Sequence, residues 1–282
     1  MQAVSTIAEL RALLSKARAI AFVPTMGNLH EGHLNLMRLA RENVAREHGG
    51  CVVASIFVNP LQFGPNEDFD KYPRTLEADC AKLQGSVDVV FAPPVNEMYP
   101  AQQTVFVEPP PIANELCGAA RPGHFRGMAT VVLKLLNIVQ PQVALFGKKD
   151  YQQLHIIRQM VAQLNLPVGI VGGETVRAAD GLALSSRNQD LSEADRSEAI
   201  FLYKILQGMQ LDILQGERDV ERLQQQAVET LIARGWSVDY VAVRNRSDLL
   251  PASQSQRDLV ILAAARLGNT RLLDNIEVCL VD

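Results

Sequence analysis

The chain has 282 residues, 48% of them hydrophobic, enough to bury one large core or two ordinary ones. Its net charge of −4, with both signs mixed along the sequence, excludes the basic footprint of a nucleic-acid binder, and no apolar run approaches the length of a membrane span. Four scattered cysteines (Cys51, Cys80, Cys117, Cys279) without CxxC spacing, and no secretory apolar segment, give the expectation of a cytoplasmic protein with reduced thiols.

The first 175 residues alternate amphipathic and apolar stretches. A helix near 6–17 leads to a strand at 19–24, and a helix over 33–47 leads to a strand at 51–58 that is apolar almost throughout. Such an uninterrupted strand needs cover on both faces, as in a parallel sheet. Helices near 75–84, 125–138 and 150–164 alternate with strands at 87–92, 142–146 and 167–171, which predicts a doubly wound α/β unit. After about residue 174 the pattern changes to two polar helices, 192–215 and 218–234, then strands at 236–243, 258–265 and 270–281. That order predicts a smaller α+β unit with an antiparallel sheet, and the division falls into 1–175 and 176–282. Gly172-Gly173 reads equally as a hinge or as a strand end.

The most informative motif is His30-Glu31-Gly32-His33, where the first strand gives way to a helix. Two imidazoles and several backbone N–H groups at a helix N-terminus suit a triphosphate, whose α-phosphorus gathers negative charge under attack. The preceding Pro24-Thr25-Met26-Gly27-Asn28 adds a turn that lets backbone approach a nucleotide. A zinc reading fails on spacing, because the helical HExxH motif needs histidines at i and i+4. Asn59 and Gln62 follow the most apolar strand, at the edge where open parallel sheets bind ligands, and their amides suit a small hydroxy acid. Lys148 and Lys149 follow another strand; Asp150 suits a helix cap or ribose hydroxyls, and Gln153 lies one turn further on. Ser185, Ser186 and Arg187 form a phosphate clamp on a loop. The segment 117–127 brings Arg121, His124 and Arg126, which either touch ligand or organise the loop. Asp68 and Asp70 read as solvated carboxylates near Gln62, and no metal ligand is assigned. There is no P-loop and no GxGxxG after a strand.

PTMGNLHEGH at 24–33, FVNPLQFGPNEDFDKYPRT at 57–75, CGAARPGHFRGMATVV at 117–132, FGKKDYQQL at 146–154 and DGLALSSRN at 180–188 together resemble the pantothenate synthetase (pantoate–β-alanine ligase) family, over essentially the whole chain. The resemblance implies a Rossmann-like doubly wound domain of the HIGH nucleotidyltransferase superfamily, a smaller C-terminal α+β lid, and a homodimer. It implies condensation of pantoate with β-alanine, using ATP with Mg2+, through a pantoyl adenylate. By the matching motifs, Pro24, Thr25, Met26, Gly27, His30, Gly32 and His33 would surround ATP, with His33 as proton donor or charge stabiliser. Gly147, Lys148, Lys149, Asp150, Val176, Leu184, Ser185, Ser186 and Arg187 would complete that site. Gln62 would contact both pantoate and β-alanine, and Gln153 pantoate. Leu184 stands where the family usually has methionine, a volume-conserving exchange. The competing readings are a nucleotidyltransferase of the same superfamily acting on another small substrate, and a non-catalytic ATP-binding module.

Overall fold

The chain, seen as a computed structural model, is described over residues 1–45, 49–64, 69–253 and 256–280. Its first part runs β1 (Gln2–Val4), α1 (Ile7–Leu14), β2 (Ala19–Thr25), α2 (Glu31–Val44), β3 (Gly50–Ile56), α3 (Leu76–Leu83), β4 (Val89–Phe91), α4 (Val95–Met98), α5 (Cys117–Ala120), α6 (His124–Val139), β5 (Val143–Gly147), α7 (Tyr151–Gln163) and β6 (Gly169–Gly173). The second part runs α8 (Glu193–Leu214), α9 (Val220–Ala233), β7 (Ser237–Asn245), β8 (Asp258–Leu267) and β9 (Thr270–Cys279). The expected α/β order is present. The helix expected over 33–47 starts earlier, because His30 caps it, and is described to Val44; residues 46–48 lie outside the described residues, as does Asp68.

The first sheet is parallel throughout, in the order β1-β4-β3-β2-β5-β6. Its strands alternate between two cores, as a period of two demands. Ile20, Phe22, Val53 and Ala144 pack under α1, α6 and α7, while Ala21, Val23, Val52, Ala54 and Leu145 pack under α2 and α3. The chain winds outward from β2 through β3 and β4, then resumes on the other side at β5. Between these two strands lies the switch point where such sheets bind ligands. β2 and β5 pair only at Ala21–Val143 and Phe22–Ala144, so their carboxyl ends part. Pro24 sits where they part: it has no N–H to give, and a central strand tolerates it there because the neighbour has already left.

The second sheet, β7-β8-β9, is antiparallel and covered on both faces. Leu259, Ile261 and Ala263 face α8 and α9 with Leu206, Met209 and Leu231. Ala242, Val260 and Leu262 instead enter the core beneath α6 and α7. The reading of Gly172-Gly173 as a hinge is corrected by their pairing with Phe146 and Gly147 inside β6. They are glycines for packing, since a Cβ on Gly173 would lie 2.4 Å from Leu36 Cδ2.

Candidate active site

A cleft of about 850 Å³ opens at the carboxyl edge of the parallel sheet. Its walls bring together Pro24, Thr25, Met26, His30, Gly32, His33, Asn59, Gln62, Gly147, Lys149, Asp150, Gln153, Val176, Leu184, Ser185, Ser186 and Arg187. Gly27 and Lys148 belong to the expected set but do not line it.

Gly27 shapes the turn instead. With Asn28 it takes two successive positive φ angles, 84° and 51°, and a Cβ on Gly27 would press on Asp79 and Ile56. Thr25 Oγ1 donates to Ser55 O and accepts the Gly27 N–H, folding the chain back. The turn is then held from α3: the fully buried Asp79 carboxylate accepts the N–H groups of Asn28 and Leu29, each at 2.8 Å, and the Thr75 hydroxyl. Lys82 Nζ donates to Leu29 O at 2.6 Å. Sequence reasoning missed both side chains, naming only a helix near 75–84. The available signal for Asp79 was its place on the buried stripe, four residues before Leu83.

The two imidazoles cap α2 reciprocally. Gly32 N donates to His30 Nδ1 at 3.1 Å, and His30 N donates to His33 Nδ1 at 3.2 Å. Both Nδ1 atoms are acceptors, so in the neutral rings the protons sit on Nε2. Glycine at 32 is a steric requirement, because a Cβ would lie 2.8 Å from His30 Cε1. Burial, the neighbouring imidazole and Lys149 push the His30 ring down to about 3; burial and then Lys149 and Lys82 push His33 down to about 4, against the pull of Asp150. Each ring is therefore a neutral N–H donor near pH 7, already pointed by its backbone partner.

Folded-state values below the ordinary 6.5 mean that the unfolded chain binds more protons between the two. Stability is unaffected by these rings above about 6.5, falls as pH drops below that, and levels off once the folded values, about 4 and then about 3, have been passed. In nitrogen NMR of the free protein, both rings are expected to stay in the neutral Nε2–H form from pH 8 to pH 5. A ring of either residue titrating near 6.5 would contradict this arrangement.

Asn59, expected to contact the substrate, lines the cleft with its side-chain amide already engaged. Its amide is saturated inside the protein: Nδ2 donates to Gln62 Oε1 and Gly127 O, while Oδ1 accepts from the Tyr99 hydroxyl and from Leu61 N. Gln62 faces the cleft, where its Nε2 meets only Met26 Sδ, a weak acceptor. Gln153 lines the same cleft, and its side chain has no hydrogen bond among the described residues. The segment 117–127 organises this wall. His124 Nδ1 bonds to Gln62 O at 2.9 Å, and Gly127 lets the 60–62 backbone rest on α6, since a Cβ there would lie 2.0 Å from Leu61 O. Arg121 and His124 also reach the cleft, whereas Arg126 pairs with Glu108.

After β5 the two lysines divide. Lys148, expected at phosphate, does not line the cleft: its ammonium pairs with Glu174 at 2.5 Å and Glu277 at 3.4 Å. Lys149 faces the cleft, and neither it nor Arg187 has a side-chain hydrogen bond or ion pair among the described residues. Two cations lining one cleft, neither paired among the described residues, make an anion site. Asp150 stands at the N-cap of α7 without capping it, which leaves its carboxylate to the cleft. The opposite wall is a short doubled-back loop: Leu184 N donates to Val176 O, Ala178 N to Leu182 O, and Gly181 turns at φ 97°. That pairing explains why Val176, eight residues away in sequence, adjoins Leu184. Ser185 Oγ accepts Arg187 N, and Ser186 bonds to the Tyr72 hydroxyl, whose ionisation burial pushes up.

The pantoate-beta-alanine ligase family model matches residues 2–277. A pantothenate synthetase from Methylobacillus flagellatus is 58% identical over 278 residues, 98% of each chain. A pantothenate synthetase structure from Thermus thermophilus superposes with a TM-score of 0.92 at 48% identity, covering 99% of this chain and 100% of that one. A Francisella tularensis pantoate-beta-alanine ligase, described as complexed with beta-gamma ATP and beta-alanine, gives 0.78 at 35% identity, covering 98% and 97%.

Proposed function

As the chain belongs to the pantoate–β-alanine ligase family, we propose that its cleft activates the carboxylate of pantoate with ATP and passes the acyl group to the amine of β-alanine. The observation that carries this reading is the convergence of two Nε2–H imidazoles and the unpaired Lys149 with the amides of Gln62 and Gln153 in one cleft. The first set suits a triphosphate under attack, and the second a small hydroxy acid.

A free carboxylate is a poor acyl electrophile, because its leaving group would be oxide. Pantoate oxygen attacks the α-phosphorus, pyrophosphate leaves, and His30, His33, Lys149 and the 185–187 loop meet the growing charge. The neutral amine of β-alanine then attacks the mixed anhydride and AMP departs, so one difficult displacement becomes two feasible ones. Gln62 holds pantoate and borders the amine, and Gln153 holds pantoate, both lining the cleft. Water has to be kept from the adenylate. Residues 1–175 act as the body that binds ATP and pantoate, and 176–282 as the lid, a reading supported by Val176 and Leu184 to Arg187 lining the same cleft as the histidines.

Mg2+ enters with ATP. Among the described residues no group of three acidic, histidine or cysteine side chains could hold a metal ion, so the cation would be held chiefly by phosphate oxygens, with Asp150 as one of the carboxylates lining the cleft. Asp70 does not line the cleft. A homodimer working in the cytoplasm completes the reading, consistent with the absence, among the described residues, of any helix able to cross a membrane.

Labelled pyrophosphate is expected to exchange into ATP when pantoate is present and β-alanine is absent, and β-alanine is expected to release AMP matched by pantothenate. A nucleotidyl transfer that ends without AMP would favour the superfamily alternative. ATP binding without turnover would favour the non-catalytic one.

A further inference from the structure

The wall that presents Gln62 has a second layer. Asn59, 1% exposed, passes hydrogen bonds in one direction: its Nδ2 donates to Gln62 Oε1 at 3.1 Å, while its Oδ1 accepts from Tyr99 at 2.7 Å. The backbone fixes which way the amide lies, because Gly127 O can only accept and Leu61 N can only donate. Tyr99 must therefore be the donor. Its contact is the shortest that Asn59 makes; the rival donor, Leu61 N, is at 3.4 Å. With Gln62 Oε1 engaged from behind, Nε2 is the end left to the cleft, where Met26 Sδ is its partner.

We propose that Tyr99 is a positioning residue: its hydroxyl heads a chain, Tyr99 to Asn59 to Gln62, whose direction makes Gln62 offer an N–H rather than a carbonyl to the hydroxy acid. Donors in series polarise one another, so the last N–H is a better donor for a carboxylate or hydroxyl oxygen than an isolated amide. The inference rests on the reading that Gln62 holds pantoate. The tyrosine ring is fixed independently of its hydroxyl, 6.0 Å from the Phe57 ring and under Lys134 Nζ at 4.5 Å, and Lys134 is held by Gln103. Phenylalanine keeps both ring contacts, so Tyr99→Phe isolates the hydroxyl.

The experiment is a double-mutant cycle in pantoate-dependent pyrophosphate exchange, using Tyr99→Phe, Gln62→Ala and both together. Tyr99→Phe is expected to raise the pantoate KM about fivefold, as for loss of one neutral hydrogen bond, while kcat and the ATP KM hold. In the Gln62→Ala background the same change is expected to leave kcat/KM for pantoate unaltered. An equal loss in both backgrounds would overturn the proposal, as would an unchanged KM in Tyr99→Phe beside a raised one in Gln62→Ala. If Gln62→Ala itself leaves the pantoate KM unaltered, the reading of Gln62 fails, and the proposal with it.

Discussion

His33→Ala is expected to slow formation of the adenylate by about a hundredfold or more, the usual scale for removing one preorganised donor from a site of developing oxyanion charge. The substitution takes away two things. It deletes an Nε2–H aimed by a backbone contact, and it orphans the His30 N–H that His33 Nδ1 accepts. The neutral ring owes its form to burial, so no ionisation step has to precede its use. His33→Gln places a neutral N–H near the former Nε2 and is expected to restore about tenfold of the loss. Single-turnover measurement of pantoyl adenylate decides the matter, and a near-normal rate in His33→Ala would remove the ring from the chemistry.

Asp79→Asn is expected to lower ATP affinity and fold stability together, although Asp79 does not line the cleft. The carboxylate has two acceptor oxygens for two backbone N–H groups, and an amide has one. Either Asn28 N or Leu29 N is left facing an NH2 group at a site with no solvent exposure. Such an orphan costs about 1–3 kcal/mol, and the ATP KM is expected to rise about tenfold as the turn before the histidines loosens. Urea unfolding with initial-rate kinetics tests both halves. A destabilised protein with an unchanged ATP KM would show that the histidine turn keeps its shape without this carboxylate.

The parallel sheet was legible because its strands are apolar on both faces, and only burial on both faces explains a run such as 51–58. β1 was not, since three residues, mostly exposed, carry no pattern and gain order only by pairing with β4. Among site residues, motif and position named the histidines, Gln62 and Lys149, which all reach the cleft. Lys148 was misjudged because its partners, Glu174 and Glu277, lie 26 and 129 positions away. Asn59 looked like a ligand contact for a similar reason: nothing near it in sequence reveals that Tyr99 and Gly127 occupy its amide. Asp79 and Tyr99 escaped notice because their chemistry lies wholly in whom they meet after folding.

The C-terminal sheet has no solvent face. Ala242, Val260 and Leu262 belong to the same apolar core as α6 and α7, so a wide swing of 176–282 away from the body would wet surface that the fold keeps dry. On the proposed reading of 176–282 as a lid, closure over the adenylate would be a shear, with packed layers slipping on the order of 1–2 Å rather than parting at a joint. On that same reading, substrates and products would pass along the open mouth of the cleft, their traffic set by how far the 176–187 segment slides and not by a gap opening between the two halves.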